Sequence, residues 1–524
     1  MSISGLEPQP FEGQRLAPEA APVYLPRIAK GATVNLFGTL ARTVLAYGYT
    51  VFLARMLQVS QLGYYFLIVT LVNIVGLAGV VGLDLGVVRY ISLYAGEERF
   101  EMARRTLAVA LFLAVPVDIL LMIVLIVLAP SVAGRLMGSD PAAVTALRIF
   151  AISIPFWAAA KIFNATKQGL HWMRYQVYSR DAGGQLSKFL LTIAFLTAGA
   201  GLAGVVWANV AALVIATLLS MVFAFRVLPH GDGKAAASAD GPSAAARLLR
   251  YSFPLAFSNI LGMVLVWIDI LMIGYLGTST EVGYYGAALR VGVASSALFL
   301  AFAAVFTPVI SDLYNKRQGV ELNSLYKTVT RWVFIFTLPL VLLQLLFADP
   351  IMKLFGGGFT AGSTALMILA VSQLINAVAG PAGYMVLMSG RSRLELLNII
   401  VSLTVDIFVC FVLIPPYGLF GAAIANASAT AVINLMRAAE VWLLMGAHAY
   451  DFGYLKPALA AIAGAGVSML MGSLLRGGGV GRITTQAAVM IAVYLGATIS
   501  LGLSGQDRIV LRLVRQRLPW AGVG

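Results

Sequence analysis

Six basic residues, Arg42, Arg148, Lys161, Lys188, Arg290 and Arg437, fall inside long apolar runs of this 524-residue chain. At a helix centre facing lipid each would cost about 2.5–3.5 kcal/mol. Such a cation must face a hydrated cavity, pair with an acid, or snorkel along its own alkyl stem to an interface. Arg42 and Arg290 sit deepest in their runs, which assigns them to a cavity, with a structural ion pair as the alternative. Arg148 and Lys161 lie near opposite ends of one run and Lys188 near the start of the next, where snorkelling is the bland explanation. Arg437 has Glu440 three residues on, the spacing of a pair within one helix.

Buried cations select an anion. The planar guanidinium fork donates paired hydrogen bonds to phosphate or carboxylate oxygens, so Arg42, Arg290, Arg148, Lys161 and Lys188 are candidates for holding an anionic substrate. The intramembrane acids are Asp84, Asp118, Asp269 and Asp406. Asp269 and Asp406 are mid-run, with no cation one helical turn away. Ser402 precedes Asp406 by four residues, on the same helical face, and Asn426, Ser428 and Thr430 follow in the next run. Asp269, Asp406, Ser402 and Thr430 are therefore candidates for holding a sodium ion or a shared proton. Pairing of each Asp with an Arg of a neighbouring helix is the competing explanation. Cys410 is the only cysteine and His171, His230 and His448 the only histidines, which excludes a disulfide and argues against a Cys or His metal site. No cofactor is expected beyond sodium or a proton as coupling ion.

The elements that must position these residues are membrane helices. The chain is 60% hydrophobic and 11% charged, against about 25% charged in a soluble domain. Stretches long enough to span a bilayer begin near 33, 62, 106, 143, 184 and 204, then near 252, 284, 331, 363, 395 and 418, and finally near 457 and 485. The chain also repeats itself. Gly-Tyr-Tyr occurs at 63–65 and again at 283–285, and GLAGVVWAN from Gly201 and GLFGAAIAN from Gly418 share the frame G-L-x-G-x-x-x-A-N. The expected fold is all-α and polytopic, with about fourteen spans arranged as two pseudo-symmetric six-helix lobes and a C-terminal pair; duplicated halves are how transporters frame a central site.

Lys and Arg alternate between connections: Arg89, Arg99, Arg104, Arg105 and Lys167, then Arg226, Arg247 and Arg250, then Lys316, Arg317, Arg391 and Arg393, and the tail from Arg508. These stay cytoplasmic by the positive-inside rule, so both termini are expected in the cytoplasm of an inner-membrane protein. The net charge of +14 follows from this topology, with some attraction to anionic lipid, and needs no nucleic acid. The expected organisation is a cytoplasmic segment 1–30, a first lobe 31–230, a flexible cytoplasmic linker 231–248, a second lobe 249–445, a helix pair 446–507 and a tail 508–524. Residues 1–30 lack the apolar core of a signal peptide. Tyr64, Tyr65, Tyr284 and Tyr285, at helix starts, suit an interfacial aromatic belt. FGGGF at 355–359 and RGGGVGR at 476–482 are hairpin turns, since neither joins a strand to a helix as a nucleotide loop does.

A first helix TLARTVLAYGYTVFLAR, a turn ending in Gly-Tyr-Tyr, a second helix ending GLDLGVVRYIS (Gly82 to Ser92) and the two G-L-x-G-x-x-x-A-N frames resemble the polysaccharide transporter and O-antigen-type flippase family of the MOP (MATE-like) superfamily. The resemblance covers residues 28–505 with diffuse motifs. It implies two lobes that alternate access and carry an undecaprenyl-diphosphate-linked oligosaccharide to the outer leaflet. The protein is expected to be a monomer and not an enzyme, with glycan-assembly machinery as a partner to be sought. Arg42 and Arg290 match positions of cavity arginines, and Asp269, Asp406 and Ser402 are similar to the sodium site of lipid II flippases, with Ser402 where an amide is expected. Two alternatives stand beside this reading. A MATE-type exporter of cationic drugs would want an acidic cavity, and a membrane polymerase or ligase of lipid-linked glycans would want a large outer loop; the outer connections here are short.

Overall fold

The computed structural model describes residues 43–170, 172, 175, 179, 183–228, 241–450, 452–474 and 479–500. Arg42, His171, His230, the segment 1–30, residues 231–240 of the linker, residues 476–478 of the turn at 476–482 and the tail 508–524 lie outside the described residues. Among the described residues all regular structure is helical. The helices are α1 (43–56), α2 (Val59–Val80), α3 (Leu83–Gly96), α4 (Phe100–Met137), α5 (Pro141–Ala151), α6 (Ser153–Gly169), α7 (Gln185–Thr197), α8 (Gly201–Val227) and α9 (Gly241–Leu276). There follow α10 (Ser279–Ala294), α11 (Ala297–Asn315), α12 (Gly319–Leu346), α13 (Ser363–Ala379), α14 (Ala382–Met388), α15 (Ser392–Tyr417), α16 (Leu419–Met445), α17 (Leu455–Leu474) and α18 (Val480–Ser500).

Among the described residues eleven helices are long and apolar enough to cross a membrane, and the chain is a multi-pass membrane protein. Three of the fourteen expected spans are not among the eleven. The first begins in residues outside the described set. α7 has 13 described residues, about 20 Å of helix against a hydrocarbon core of about 30 Å. The span expected near 284 is interrupted after Ala294, so that α10 and α11 are separate helices. α9 begins at Gly241, inside the stretch 231–248 expected as the linker. Pro242 is tolerated in a first helical turn and the alanines after it are the best helix formers.

Contacts group the described residues into two compact units. One contains 49–286 with 410–422, the other 43–48, 287–409 and 423–500. In the first, Val80, Leu83, Val87, Ala103, Leu107 and Ile162 of α2, α3, α4 and α6 form the core. α9 packs on α2, α3 and α4. Gly82 shows why the approach needs glycine: its φ is +68°, and a Cβ there would lie 2.7 Å from the Ser252 carbonyl oxygen of α9. In the second unit Phe306, Ile310, Tyr326, Val333 and Met385 centre the core. α17 and α18 pack on each other and on α12, where Tyr494 donates to the Ile335 carbonyl at 2.7 Å. The expected FGGGF turn is a turn, with Gly356 at φ +141° leading into a 3₁₀ segment, Gly357–Gly362.

Candidate functional site

The cations left in the spans meet different fates. Lys161 Nζ pairs with Asp84 Oδ2 at 3.0 Å and lies 5.0 Å from the Trp157 ring centroid, so an ion pair replaces the snorkelling expected of it. Lys167, read as part of a cytoplasmic connection, ends α6 fully buried and donates to Ser179 Oγ at 2.7 Å and Ser220 Oγ at 3.3 Å. Arg148 is exposed on the last turn of α5. Arg437 does not pair with Glu440. Its Nε donates to Glu395 Oε2 of α15 at 3.1 Å, and Glu440 accepts from Asn398 Nδ2 at 2.8 Å.

Arg290 is half-buried on α10, one turn before that helix stops. The stop is fixed from α12: buried Gln344 donates through Nε2 to the Val291 carbonyl and to Ser295 Oγ, both at 2.9 Å. The amide supplies a donor at the end of α10, where helix carbonyls lose their intrahelical partners. Arg290 thus lies one turn before a break that Gln344 bridges.

Lys188 does not reach for an interface either. Its Nζ donates to Tyr65 Oη at 3.0 Å and sits 4.2 Å from the Tyr49 ring centroid. Tyr65 donates to Asn209 Oδ1 at 3.3 Å, and Asn209 Nδ2 donates to Tyr49 Oη at 3.1 Å. Thr192 Oγ1 gives its proton to the Lys188 carbonyl at 2.7 Å, so in the 3.1 Å contact between Tyr49 and Thr192 the tyrosine is the donor. Every hydroxyl and amide proton in this cluster points away from the ammonium. Among its contacts are a phenol oxygen and an aromatic ring, both electron-rich.

In the second half Asp269 is fully buried, accepting from Tyr285 Oη at 2.8 Å and lying 3.9 Å from Cys410 Sγ. Asp406 and Ser402 are fully buried on α15, one and two turns before Cys410, and Ser402 Oγ has no hydrogen-bond partner among the described residues. An orphaned hydroxyl one turn from a buried carboxylate offers two oxygens of the kind a hard cation takes. Thr430 is half-buried on α16, and its carbonyl accepts from Asn434 Nδ2 at 2.9 Å.

Tyr49, Tyr65, Thr192, Asn209 and Tyr285 were not singled out by reasoning about charge. The signal was in the repeats. The second tyrosine of each Gly-Tyr-Tyr is buried and hydrogen-bonded inside the protein, which corrects the aromatic-belt reading for Tyr65 and Tyr285. The motif glycines pack the two copies together: a Cβ on Gly63 would lie 1.8 Å from the Ser279 carbonyl oxygen, and one on Gly283 would lie 2.4 Å from that of Val59.

The architecture is shared with known transporters. A lipid II flippase, MurJ, in an inward closed conformation is 15% identical with a TM-score of 0.68, over 90% of this chain and 98% of that one. An inward-facing multidrug resistance MATE family transporter of the MOP superfamily is 16% identical with a TM-score of 0.66, over 79% of this chain and 98% of that one. Among curated proteins, the probable low-salt glycan biosynthesis flippase Agl15 of Haloferax volcanii is 26% identical over 394 residues, 74% of this chain and 78% of that protein. An uncharacterized membrane protein of Methanocaldococcus jannaschii is 20% identical over 437 residues, 80% and 84% of the two chains. The MatE family model matches residues 254–412. The model described as polysaccharide biosynthesis protein matches residues 28–314, more than half the chain, and the protein belongs to that family.

Proposed function

We propose that the protein is a flippase, moving a lipid-diphosphate-linked glycan from the cytoplasmic to the outer leaflet by alternating access of its two halves. The observation that carries this reading is Arg290, a guanidinium kept half-buried on a membrane helix beside a break that Gln344 fixes. A diphosphate cannot enter hydrocarbon bare, because burying unpaired charge costs far more than thermal energy. Arginine replaces the lost water with paired hydrogen bonds. Arg290 and Arg42 are assigned to the diphosphate, and Arg148 to a peripheral contact. Lys161 and Lys188, candidates for the same anion, donate to Asp84 and Tyr65 respectively. Family membership and the similarity to the probable glycan biosynthesis flippase of Haloferax support the same reading.

With the cell interior negative, carrying about two negative charges outward gains roughly 4–5 kcal/mol at 100 mV. The membrane potential is then sufficient drive. A cation, sodium or a proton, taken up by the second-half residues Asp269, Asp406, Ser402 and Thr430 would add to it or speed the return. The protein works as a monomer in the inner membrane with cytoplasmic termini, handing its glycan to assembly machinery.

The test is glycan export in cells lacking the protein, complemented by wild type, Arg42→Ala or Arg290→Ala at matched protein levels. Lipid-linked glycan trapped on the cytoplasmic leaflet, and released only by wild type, is the expected outcome. The MatE match over 254–412 favours one second reading, a cation-coupled exporter. Unchanged glycan export with altered sensitivity to cationic drugs would select it. Transport that persists when the potential is dissipated at constant ion gradients would remove the proposed driving force.

A further inference from the structure

The repeat puts the two polar clusters in register. Tyr49 and Asp269 are 220 residues apart, as are Tyr65 and Tyr285; Lys188 and Asp406 are 218 apart, as are Thr192 and Cys410; Asn209 and Asn426 are 217 apart. The contacts follow the register. Tyr49 meets Thr192 in the first half and Asp269 meets Cys410 in the second. Lys188 and Thr192 are one helical turn apart on α7, as Asp406 and Cys410 are on α15. The same five positions therefore carry one positive charge in the first half and two negative ones in the second.

We propose that Lys188 is a tethered cation: its ammonium fills, in the first half, the place that an exchangeable cation takes in the second, so that the first half never exchanges an ion. With the lysine side chain removed, the Tyr49–Tyr65 cage becomes a binding site for a small organic ammonium ion. The inference rests on the reading of Asp269 and Asp406 as cation-binding residues. Within the first half the cage itself carries it. The ring of Tyr49 and the Tyr65 oxygen offer electron density to the ammonium, while the protons of Tyr65, Asn209, Tyr49 and Thr192 are all committed to other acceptors. Among these contacts no proton is aimed at the place of the ammonium, so the site suits a cation held by an aromatic face and not an anion. Tyr49, Tyr65, Thr192 and Asn209 are all buried, so the arrangement is packed in place rather than assembled on demand. A covalently held charge cannot be lost to either side of the membrane. Any ion coupling is then confined to the second half.

The experiment uses the full-length purified protein in detergent, without substrate, and reads thermal unfolding. Lys188→Arg keeps a tethered charge and should unfold near the wild-type temperature. Lys188→Met keeps the volume without the charge and should unfold several degrees lower; a lysine that only packs would give the opposite order. Lys188→Ala should also fall, and methylammonium chloride, compared with sodium chloride at equal ionic strength, should raise it saturably, as a ligand that binds only the folded state does. Wild type and Lys188→Met should not respond. A methylammonium shift equal in all variants, or Lys188→Met as stable as wild type, overturns the proposal. If Lys188→Ala does not purify, the Arg and Met variants decide alone. A parallel measurement of cation binding to wild type and Asp406→Asn separates the two ideas. Binding unaffected by Asp406→Asn removes the second-half reading, while a second exchangeable site in wild type, abolished by Tyr49→Leu, removes the tethered cation.

Discussion

Tyr285 donates its phenolic proton to Asp269 Oδ2 at 2.8 Å, with both side chains fully buried. The two residues sit on consecutive helices, α9 and α10, joined by a turn in which Glu281 Oε2 accepts from the Thr278 backbone N–H at 2.9 Å and from its hydroxyl at 3.0 Å. The phenol is a strong donor to this buried carboxylate. Tyr285→Phe should lower stability by about 1.5–3 kcal/mol, the usual worth of a hydrogen bond to a charged group. Asp269→Asn combined with Tyr285→Phe should cost less than the two single changes added together. Denaturation of the four proteins in one detergent measures this directly, and strict additivity would show that the bond contributes nothing.

The Gly63 and Gly283 contacts give a steric prediction that involves no charge. Their hypothetical Cβ atoms would fall 1.8 Å and 2.4 Å from backbone oxygens, and backbone cannot yield as a side chain can. Gly63→Ala and Gly283→Ala should each destabilise severely, seen as loss of monodisperse protein in size-exclusion chromatography. Gly96→Ala, where a Cβ meets nothing within 4 Å, is the control and should be neutral. Equal behaviour of all three would mean that the two Gly-Tyr-Tyr helices do not approach this closely.

Asp118 is fully buried on α4, and neither carboxylate oxygen has a hydrogen-bond partner among the described residues. It occupies the notch left by Gly79 on α2, where a Cβ would come within 2.1 Å of its Oδ1. A buried, unpaired charge is destabilising, so Asp118→Asn, the same shape without the charge, should leave stability equal or higher. Gly79→Ala should be harmful in wild type and less so in Asp118→Ala, with a coupling of about 0.5–3 kcal/mol in a double-mutant cycle. Thermal unfolding of the set checks both statements, and a strongly destabilised Asp118→Asn would contradict the first.

The spans were legible because hydropathy adds up over a whole helix, so that errors at single residues cancel. Partner choice has no such averaging. Arg437 and Glu440 have the spacing of a helical pair, yet Glu395 of α15 holds the arginine and Asn398 holds Glu440. Spacing says which residues can touch within a helix and nothing about a better partner across from it. Lys188 was legible as an intramembrane charge, but its cage was not, because Tyr49, Tyr65, Thr192 and Asn209 come from four segments and are individually unremarkable. The repeat register was the information that joined them. It was already in the sequence, as Gly-Tyr-Tyr and A-N frames, and it acquired meaning once the hydrogen bonds showed what those frames hold.

Gln344 offers a way to perturb Arg290 without touching it. The amide bridges the Val291 carbonyl and Ser295 Oγ, one and five residues beyond the arginine, and so sets where α10 ends. Gln344→Leu keeps the bulk and removes both donors, leaving a carbonyl and a hydroxyl buried without that partner. Interhelical hydrogen bonds in membranes average about 0.6 kcal/mol and reach about 1.7, so the protein should remain folded with a modest loss of stability. If Arg290 holds the diphosphate as proposed, export should fall much further, because paired hydrogen bonds are sensitive to small displacements. The decisive comparison is export by Gln344→Leu, Arg290→Ala and the double variant at matched protein levels. If Gln344 acts by placing Arg290, the double variant is no worse than Arg290→Ala alone. If it acts independently the two losses multiply, and the break after α10 then serves something other than the arginine.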